Sequence, residues 1–412
     1  MSIPSAKGGT DTSADRLPLP PARPHLIRDD AEALAVAHDV AAVFAAGAGE
    51  RDRERRLPWD EIEAFTASGL GGITVPRSHG GADVSHATLA EIFAILSAAD
   101  ASAGQIPQNQ FGVLALVRAA ARPDQQARIY ADVLAGHRIG NAGPARNGRA
   151  ITQVETRLAP GPEGLRLSGS RFYSTGALFA HWIPTRAVDP AGRPVLVWVR
   201  RDAPGLRVVD DRQGFGQRTT ASGTVVFEDA PIEERLTLDL APLAERPGLS
   251  GPVSQLVQAA IDAGIARSAV AAALDVLRTR ARPYPYTAES VAEDPHILGE
   301  VGRLAVDLHA AEEVLARAGR ALDRIAAAPV TAESSAEASV AVAKILTTEI
   351  ALEASERMLE LAGSSATREG YNLGRFWRDA RVHTLHDPVR WKYHLVGNYA
   401  LNGALPARHQ WN

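Results

Sequence analysis

Hydrophobic positions along the 412-residue chain fall into three textures. Between Ile27 and about Ala135 they recur with helical spacing. Leu34, Ala37, Ala41 and Phe44 make one apolar face, and Thr88-Leu-Ala-Glu-Ile-Phe-Ala-Ile-Leu96 gathers Leu89, Ile92, Phe93 and Leu96 on another. From about Gly136 the period changes. Leu165-Arg-Leu167 alternates, while Pro194-Val-Leu-Val-Trp-Val199 and Thr224-Val-Val-Phe227 read as strands. Pro160-Gly-Pro, Asp189-Pro-Ala-Gly and Ala203-Pro-Gly supply turns between them. Beyond Pro252 long helical segments return: Ser254–Arg280, His296–Ala328, Glu333–Ala362 and Asp387–Ala400. The first carries Leu256, Ala260, Ile261, Gly264, Ile265, Ala269 and Ala272, a small-residue face suited to close helix packing. The order predicts an α+β multidomain chain: an arm (1–24), an N-terminal α-helical domain (25–135), a central β-barrel or sandwich domain (136–247) and a C-terminal four-helix bundle (248–412).

Composition narrows the chemistry. The chain has no cysteine, which excludes disulfides, thiolate metal sites, cysteine-ligated clusters and a thiol nucleophile. Redox chemistry would need an imported cofactor. A formal charge of −4 gives no reason to expect nucleic acid or an anionic membrane as partner. The arm is rich in Ser, Gly, Thr and Pro, and no stretch approaches the ~20 apolar residues of a membrane span. These features predict a cytoplasmic protein with a disordered arm. Basic residues are almost all arginine, with lysine only at 7, 344 and 392, which reads as coding bias. The alternating charges of Glu50-Arg-Asp-Arg-Glu-Arg-Arg56 read as a solvated surface.

Three motifs carry candidate chemistry. Leu167-Ser-Gly-Ser-Arg-Phe-Tyr-Ser-Thr-Gly176 runs from a strand into a turn, where Ser174 and Thr175 could donate to a cofactor ring; an ordinary Ser/Thr turn is the plain alternative. Arg280-Ala-Arg282 follows a long helix and suits either a phosphate or the helix C-terminus. In His383-Thr-Leu-His386-Asp387-Pro388, Asp387 and Pro388 read as N-cap and first position of the final helix. The two histidines suit an iron site, a structural role or acid–base work, and spacing alone does not choose among them.

The helical–β–helical order and four segments resemble the acyl-CoA dehydrogenase superfamily over about His25 to Trp411. The segments are Gln105-Ile-Pro-Gln-Asn109, Phe172 to Trp182, Gly214 to Gly223 and His383 to Tyr393. They are most similar to the flavin-dependent monooxygenase branch that includes dibenzothiophene monooxygenase and the sulfur acquisition oxidoreductases. The resemblance implies an acyl-CoA dehydrogenase-like homotetramer, a dimer of dimers, with flavin between the β domain and the C-terminal bundle. Ser174, Thr175 and Asn141 would then lie beside the flavin, Arg282 would reach the phosphate of a neighbour's flavin, and Gly363 would approach a neighbour's cofactor. Dehydrogenases of the superfamily place a glutamate base where this chain has His386-Asp387-Pro388. In the monooxygenase branch His383 and His386 instead face the flavin C4a region, hydrogen-bond a C4a-peroxide and manage its proton.

The implied activity is a two-component monooxygenase: a separate reductase supplies reduced FMN, and the C4a-(hydro)peroxyflavin oxygenates a small organosulfur compound. No metal is implied. Gln110 and Arg212 depart from the branch's pattern and point to an altered substrate pocket, with Arg212 favouring an anion such as a sulfonate or sulfinate. The alternatives are an FAD-dependent acyl-CoA dehydrogenase and a flavin-binding protein without turnover.

Overall fold

The computed structural model describes residues 16–19, 23–144, 154–244, 249–285, 289–327 and 340–406. Most of the N-terminal arm expected to be disordered lies outside these residues. Of the part inside them, the Arg16 guanidinium sits 4.6 Å over the Trp59 ring and the Leu19 carbonyl meets His181 Nε2 at 2.9 Å.

The N-terminal helices are α1 (Asp30–Ala45), α2 (Ala48–Glu54), α3 (Trp59–Ala67), α4 (His86–Ala99), α5 (Ala101–Gln105), α6 (Gln108–Ala120) and α7 (Pro123–Leu134). Side-chain caps set several starts. Asp29 accepts the Glu32 N–H, Ser85 the Thr88 N–H, and Asp100 the N–H groups of Ser102 and Ala103. The alternating charges of Glu50–Arg56 form the expected solvated surface only in part: Glu50, Arg53, Glu54 and Arg56 are exposed, whereas Arg51 and Asp52 are buried. Arg51 is completely buried, with Nη1 2.6 Å from Glu61 and Nη2 2.8 Å from Asp100. Its carboxylate partners come from later in the chain, so local alternation could not reveal the burial.

The β region is one seven-stranded mixed sheet. Its strands are β1 (Arg157–Gly161), β2 (Gly164–Arg171), β3 (Trp182–Val188), β4 (Pro194–Arg200), β5 (Leu206–Val209), β6 (Thr224–Pro231) and β7 (Leu238–Asp239), in the order β5-β6-β2-β1-β3-β4-β7. β1 runs parallel to β3 through the pair Arg157–Val188, and the other neighbours are antiparallel. β4 reads as an unbroken apolar run because both of its faces are covered. Leu196 and Trp198 meet α6 and α7 side chains such as Val113 and Ile129, whereas Val195, Val197 and Val199 join Ile62 and Leu167 on the other face.

The C-terminal helices are α8 (Ser250–Thr279), α9 (Pro295–Ala326), α10 (Ala341–Ala362), α11 (Gly374–Thr384) and α12 (Arg390–Asn402). α8 is the axis of the largest core, packing on α4, α9 and α10. Its small residues matter at Gly264, where a Cβ would come 2.5 Å from the Ala94 carbonyl oxygen. Any side chain there would force α4 and α8 apart. The final helix begins at Arg390 with Val389 as its cap residue, not at Asp387 as expected. Among the described residues no single helix is long and apolar enough to cross a membrane.

Candidate active site

The C-terminal histidines do not share a helix. His383 lies in the last turn of α11, while His386 falls in the bend that follows, its N–H donating to the His383 carbonyl at 3.0 Å. His383 is buried, and its Nδ1 is 2.5 Å from Asp262 Oδ1 on α8. Asp262 Oδ2 in turn takes Lys344 Nζ at 2.5 Å and the Thr348 hydroxyl at 2.9 Å, both from α10. Three helices thus meet at one carboxylate. The far nitrogen of the ring, His383 Nε2, is buried with no hydrogen-bond partner among the described residues. Burial lowers His383 below the usual imidazole value, although Asp262 pulls the other way. Burial also pushes the Asp262 carboxyl up, but Lys344 and His383 together hold it well below the carboxylate range.

His386 keeps an accessible ring but is closely ringed by protein. That desolvation, then His383 and Lys344, lower it to about 4, with Asp387 and Asp262 pulling the other way. Asp387 is not a helix cap; its Oδ2 is 2.9 Å from Lys392 Nζ, and both side chains are buried. The two histidines and Asp387 are therefore not gathered into a metal set, and no group of three potential ligands occurs among the described residues.

A second cluster forms around the strand-to-turn motif. Ser174 Oγ accepts the Gly143 N–H at 3.2 Å, leaving its own proton available. Thr175 Oγ1 is 2.5 Å from Ser222 Oγ, which donates to Thr220 Oγ1 at 2.8 Å; Thr220 donates to the Gln217 carbonyl at 3.1 Å. Because the Ser222 proton is already used, Thr175 must be the donor in its pair and retains only acceptor capacity. The chain of hydroxyls ends at α11, where the Gln217 N–H donates to Asp379 at 2.6 Å. Gly176 lies at φ +78°, and a Cβ there would come 2.7 Å from the Ile106 carbonyl oxygen, so the turn seats directly on the junction between α5 and α6.

The remaining expected site residues separate into two groups. Asn141 is half-buried next to Gly140, whose carbonyl accepts Asn109 Nδ2 at 2.9 Å, so it stays close to the motif Gln105–Asn109. Arg282 is exposed beyond α8, and Gly363 ends α10 with no atom near the space its side chain would occupy. Gln110 is buried and braces two segments, donating to the Gly71 carbonyl at 2.6 Å and accepting the Ile139 N–H at 2.9 Å. It lines a small, partly open pocket with Gly71, His137 and Arg138. Arg212 Nη1 is held by the Gln217 carbonyl at 2.6 Å and by Thr220, which makes it an internal brace of the same loop.

Sequence reasoning missed Asp262, Lys344 and the buried pair Gln108–Gln258, in which Gln258 Nε2 donates to Gln108 Oε1. The signals existed. Asp262 interrupts the apolar run Ala259-Ala-Ile-Asp-Ala-Gly264, and Lys344 interrupts Ala341-Val-Ala-Lys-Ile-Leu346.

Comparison with known proteins decides the family. Acyl-CoA dehydrogenase N-terminal and C-terminal domain models match residues 28–137 and 256–391. The probable FMNH2-dependent monooxygenase SfnC of Pseudomonas putida is 30% identical over 387 residues, 91% of this chain and 96% of SfnC. This chain belongs to the acyl-CoA dehydrogenase family, in its flavin-dependent monooxygenase branch. A dibenzothiophene monooxygenase of Rhodococcus erythropolis is 29% identical over 410 residues, 94% of this chain and 98% of that protein. The FMN-bound structure of TdsC from Paenibacillus sp. A11-2 superposes with a TM-score of 0.87 at 30% identity, covering 92% of this chain and all of TdsC. Asp387, the one carboxylate among His386-Asp387-Pro388, is paired with Lys392.

Proposed function

We propose that this protein is a monooxygenase that takes reduced FMN from a separate cytoplasmic reductase and transfers one oxygen atom of O2 to a small organosulfur compound. The observation that carries this reading is the pairing of Asp387 with Lys392 beside His383 and His386. A dehydrogenase needs a free carboxylate to remove a substrate α-proton. Here the carboxylate is engaged, and two imidazoles lie within one bend of each other.

The residues fit a flavin. Ser174 offers a hydroxyl proton and Thr175 an acceptor oxygen, as a ring carrying both donors and acceptors requires. His383 Nε2 is a buried polar atom awaiting a partner. Bound reduced FMN would supply the two electrons that activate dioxygen, giving oxidised FMN, water and the oxygenated product. Ser174, Thr175 and Asn141 would hold and orient the ring, and the buried wall around His383 would keep bulk water away. His386, with its accessible edge, exchanges protons with the substrate side, while His383 holds its proton on Nδ1 and keeps Nε2 as an acceptor.

The same reading makes the enzyme a homotetramer in which Arg282 and Gly363 approach a neighbour's flavin. Support comes from the apolar side chains that α12 leaves uncovered, among them Trp391, Tyr399 and Leu401 at 58%, 47% and 84% exposure.

The test is single turnover with anaerobically reduced FMN, then 18O2, in the presence of dibenzothiophene or an alkanesulfinate. One labelled oxygen in the sulfur product is expected. Hydrogen peroxide release with no labelled product from either compound class, or bleaching of bound FAD by an acyl-CoA, would overturn the reading. Thermal protection by FMN over FAD checks the cofactor independently.

A further inference from the structure

Lysine occurs at only three positions in a chain that otherwise uses arginine, and Lys7 is outside the described residues. The other two are both buried, both on the C-terminal helices, and both paired with an aspartate: Lys344 with Asp262 and Lys392 with Asp387. Whatever drives the general preference for arginine, it has not reached these sites. An ammonium is a compact point charge that fits against a single carboxylate oxygen, whereas a guanidinium fork needs a wider, planar seat. Lys344 shares its carboxylate with His383, one on each oxygen, and neither Lys344 nor Asp262 has any exposed side-chain surface.

We propose that Asp262 and Lys344 form a positioning pair that fixes His383 as the neutral tautomer, with its proton on Nδ1 and a bare Nε2 presented as the acceptor. The reasoning is a charge count. An ionised Asp262 accepts from both neighbours, so the Nδ1 it touches carries a proton. One buried carboxylate balances one buried cation, and Lys344 already supplies it. A second proton on the ring would leave a net positive charge with no exposed surface. The groups around the ring agree. α8 contributes Asp262, α10 contributes Lys344 and Thr348, and the segment after α11 contributes His386, followed by Asp387, which Lys392 of α12 neutralises. The hydroxyl of Thr348 takes a further lone pair of Asp262 and holds the carboxylate in place. A simple exposed Asp–His pair would favour the imidazolium; burial, joined by Lys344 on the same carboxylate, reverses that preference.

This inference rests on the monooxygenase reading only for its consequence in turnover, so its primary test is spectroscopic. In protein labelled with 15N-histidine, the His383 signals, assigned with His383→Gln, should show a protonated Nδ1 and an unprotonated Nε2 from about pH 8 down past the ordinary imidazole value. In Lys344→Met the Asp262 charge acts on His383 alone, and the ring should become protonated at a pH higher by about one to three units, the range for an opposite charge at contact. The double variant Asp262→Asn with Lys344→Met buries no charge. It should fold and should lose the preference for one tautomer. A wild-type Nε2 that carries a proton at pH 7, or a His383 titration unchanged in both variants, would overturn the proposal. If the tautomer is locked as described but no 18O reaches product, the positioning pair stands and the monooxygenase reading falls. If turnover is present, its acid limb should move with the spectroscopic titration in Lys344→Met; an unmoved limb would sink the link to His383.

Discussion

The backbone N–H of Gln217 donates to Asp379 Oδ1 at 2.6 Å, joining the loop that precedes β6 to the helix that carries His383. Asp379 is buried, and that burial, with Asp52 and Asp100 nearby, pushes it up to about 7 from 3.8. Between those values the folded protein holds a proton that the unfolded chain has released. Stability therefore falls as pH rises from about 4 to about 7 and levels off above. Asp379→Asn keeps the acceptor and removes the titration. Its stability relative to wild type should be greater at pH 8 than at pH 4.5, by on the order of a few kcal/mol, as read from urea unfolding at the two pH values.

Replacing His386 separates chemistry from folding. Its ring is accessible, so His386→Ala should unfold within about 0.5 kcal/mol of wild type. Oxygenation should fall by about 10²- to 10⁴-fold, the usual size of an acid–base contribution. Steady-state rates with a reductase supplying reduced FMN, alongside thermal melts, check both halves.

Thr175 is expected to act through its oxygen rather than its shape. Thr175→Val removes the donor that Ser222 relies on and the acceptor offered to a bound ring. FMN affinity should drop by about tenfold, in line with one lost hydrogen bond. Thr175→Ser should stay close to wild type. Calorimetric titration of FMN into the three proteins is the measurement.

Arg51 is the structural counterpart. Its guanidinium joins Glu61 and Asp100 with no exposed surface, so Arg51→Met strands two buried carboxylates and should cost about 3–5 kcal/mol. Arg51→Lys should recover only part of that loss, because one ammonium cannot replace a fork that spans two partners. Denaturant midpoints at constant m-value would show it.

How much of this was legible beforehand differs from element to element. Helices and strands with clear periods were, because burial on one face leaves its period in the chain: Leu89, Ile92, Phe93 and Leu96 share α4, and Thr224 to Phe227 begin β6. α11 was not read as a separate helix, since Gly374-Arg-Phe-Trp-Arg-Asp-Ala-Arg is mostly polar and its burial comes from contacts with α8 and α10. Asp387 looked like a cap because Asp-Pro before a helix is a common start; Lys392, in the first turn of α12, claims its carboxylate instead.

The amino-acid sequence by itself determined the helical–β–helical order, the absence of any thiol chemistry and the motif in which His383 and His386 occur, since each is a property of local composition and spacing. It also held the resemblance that led to flavin. Only the tertiary structure decided which charges are buried and with whom. Asp262, Lys344 and His383 are separated by 82 and 121 positions from Asp262 outward, yet meet within 2.5 Å. Periodicity reports how a segment faces a core; it carries no information on which distant segment faces back, and the protonation of a buried group is set by that partner.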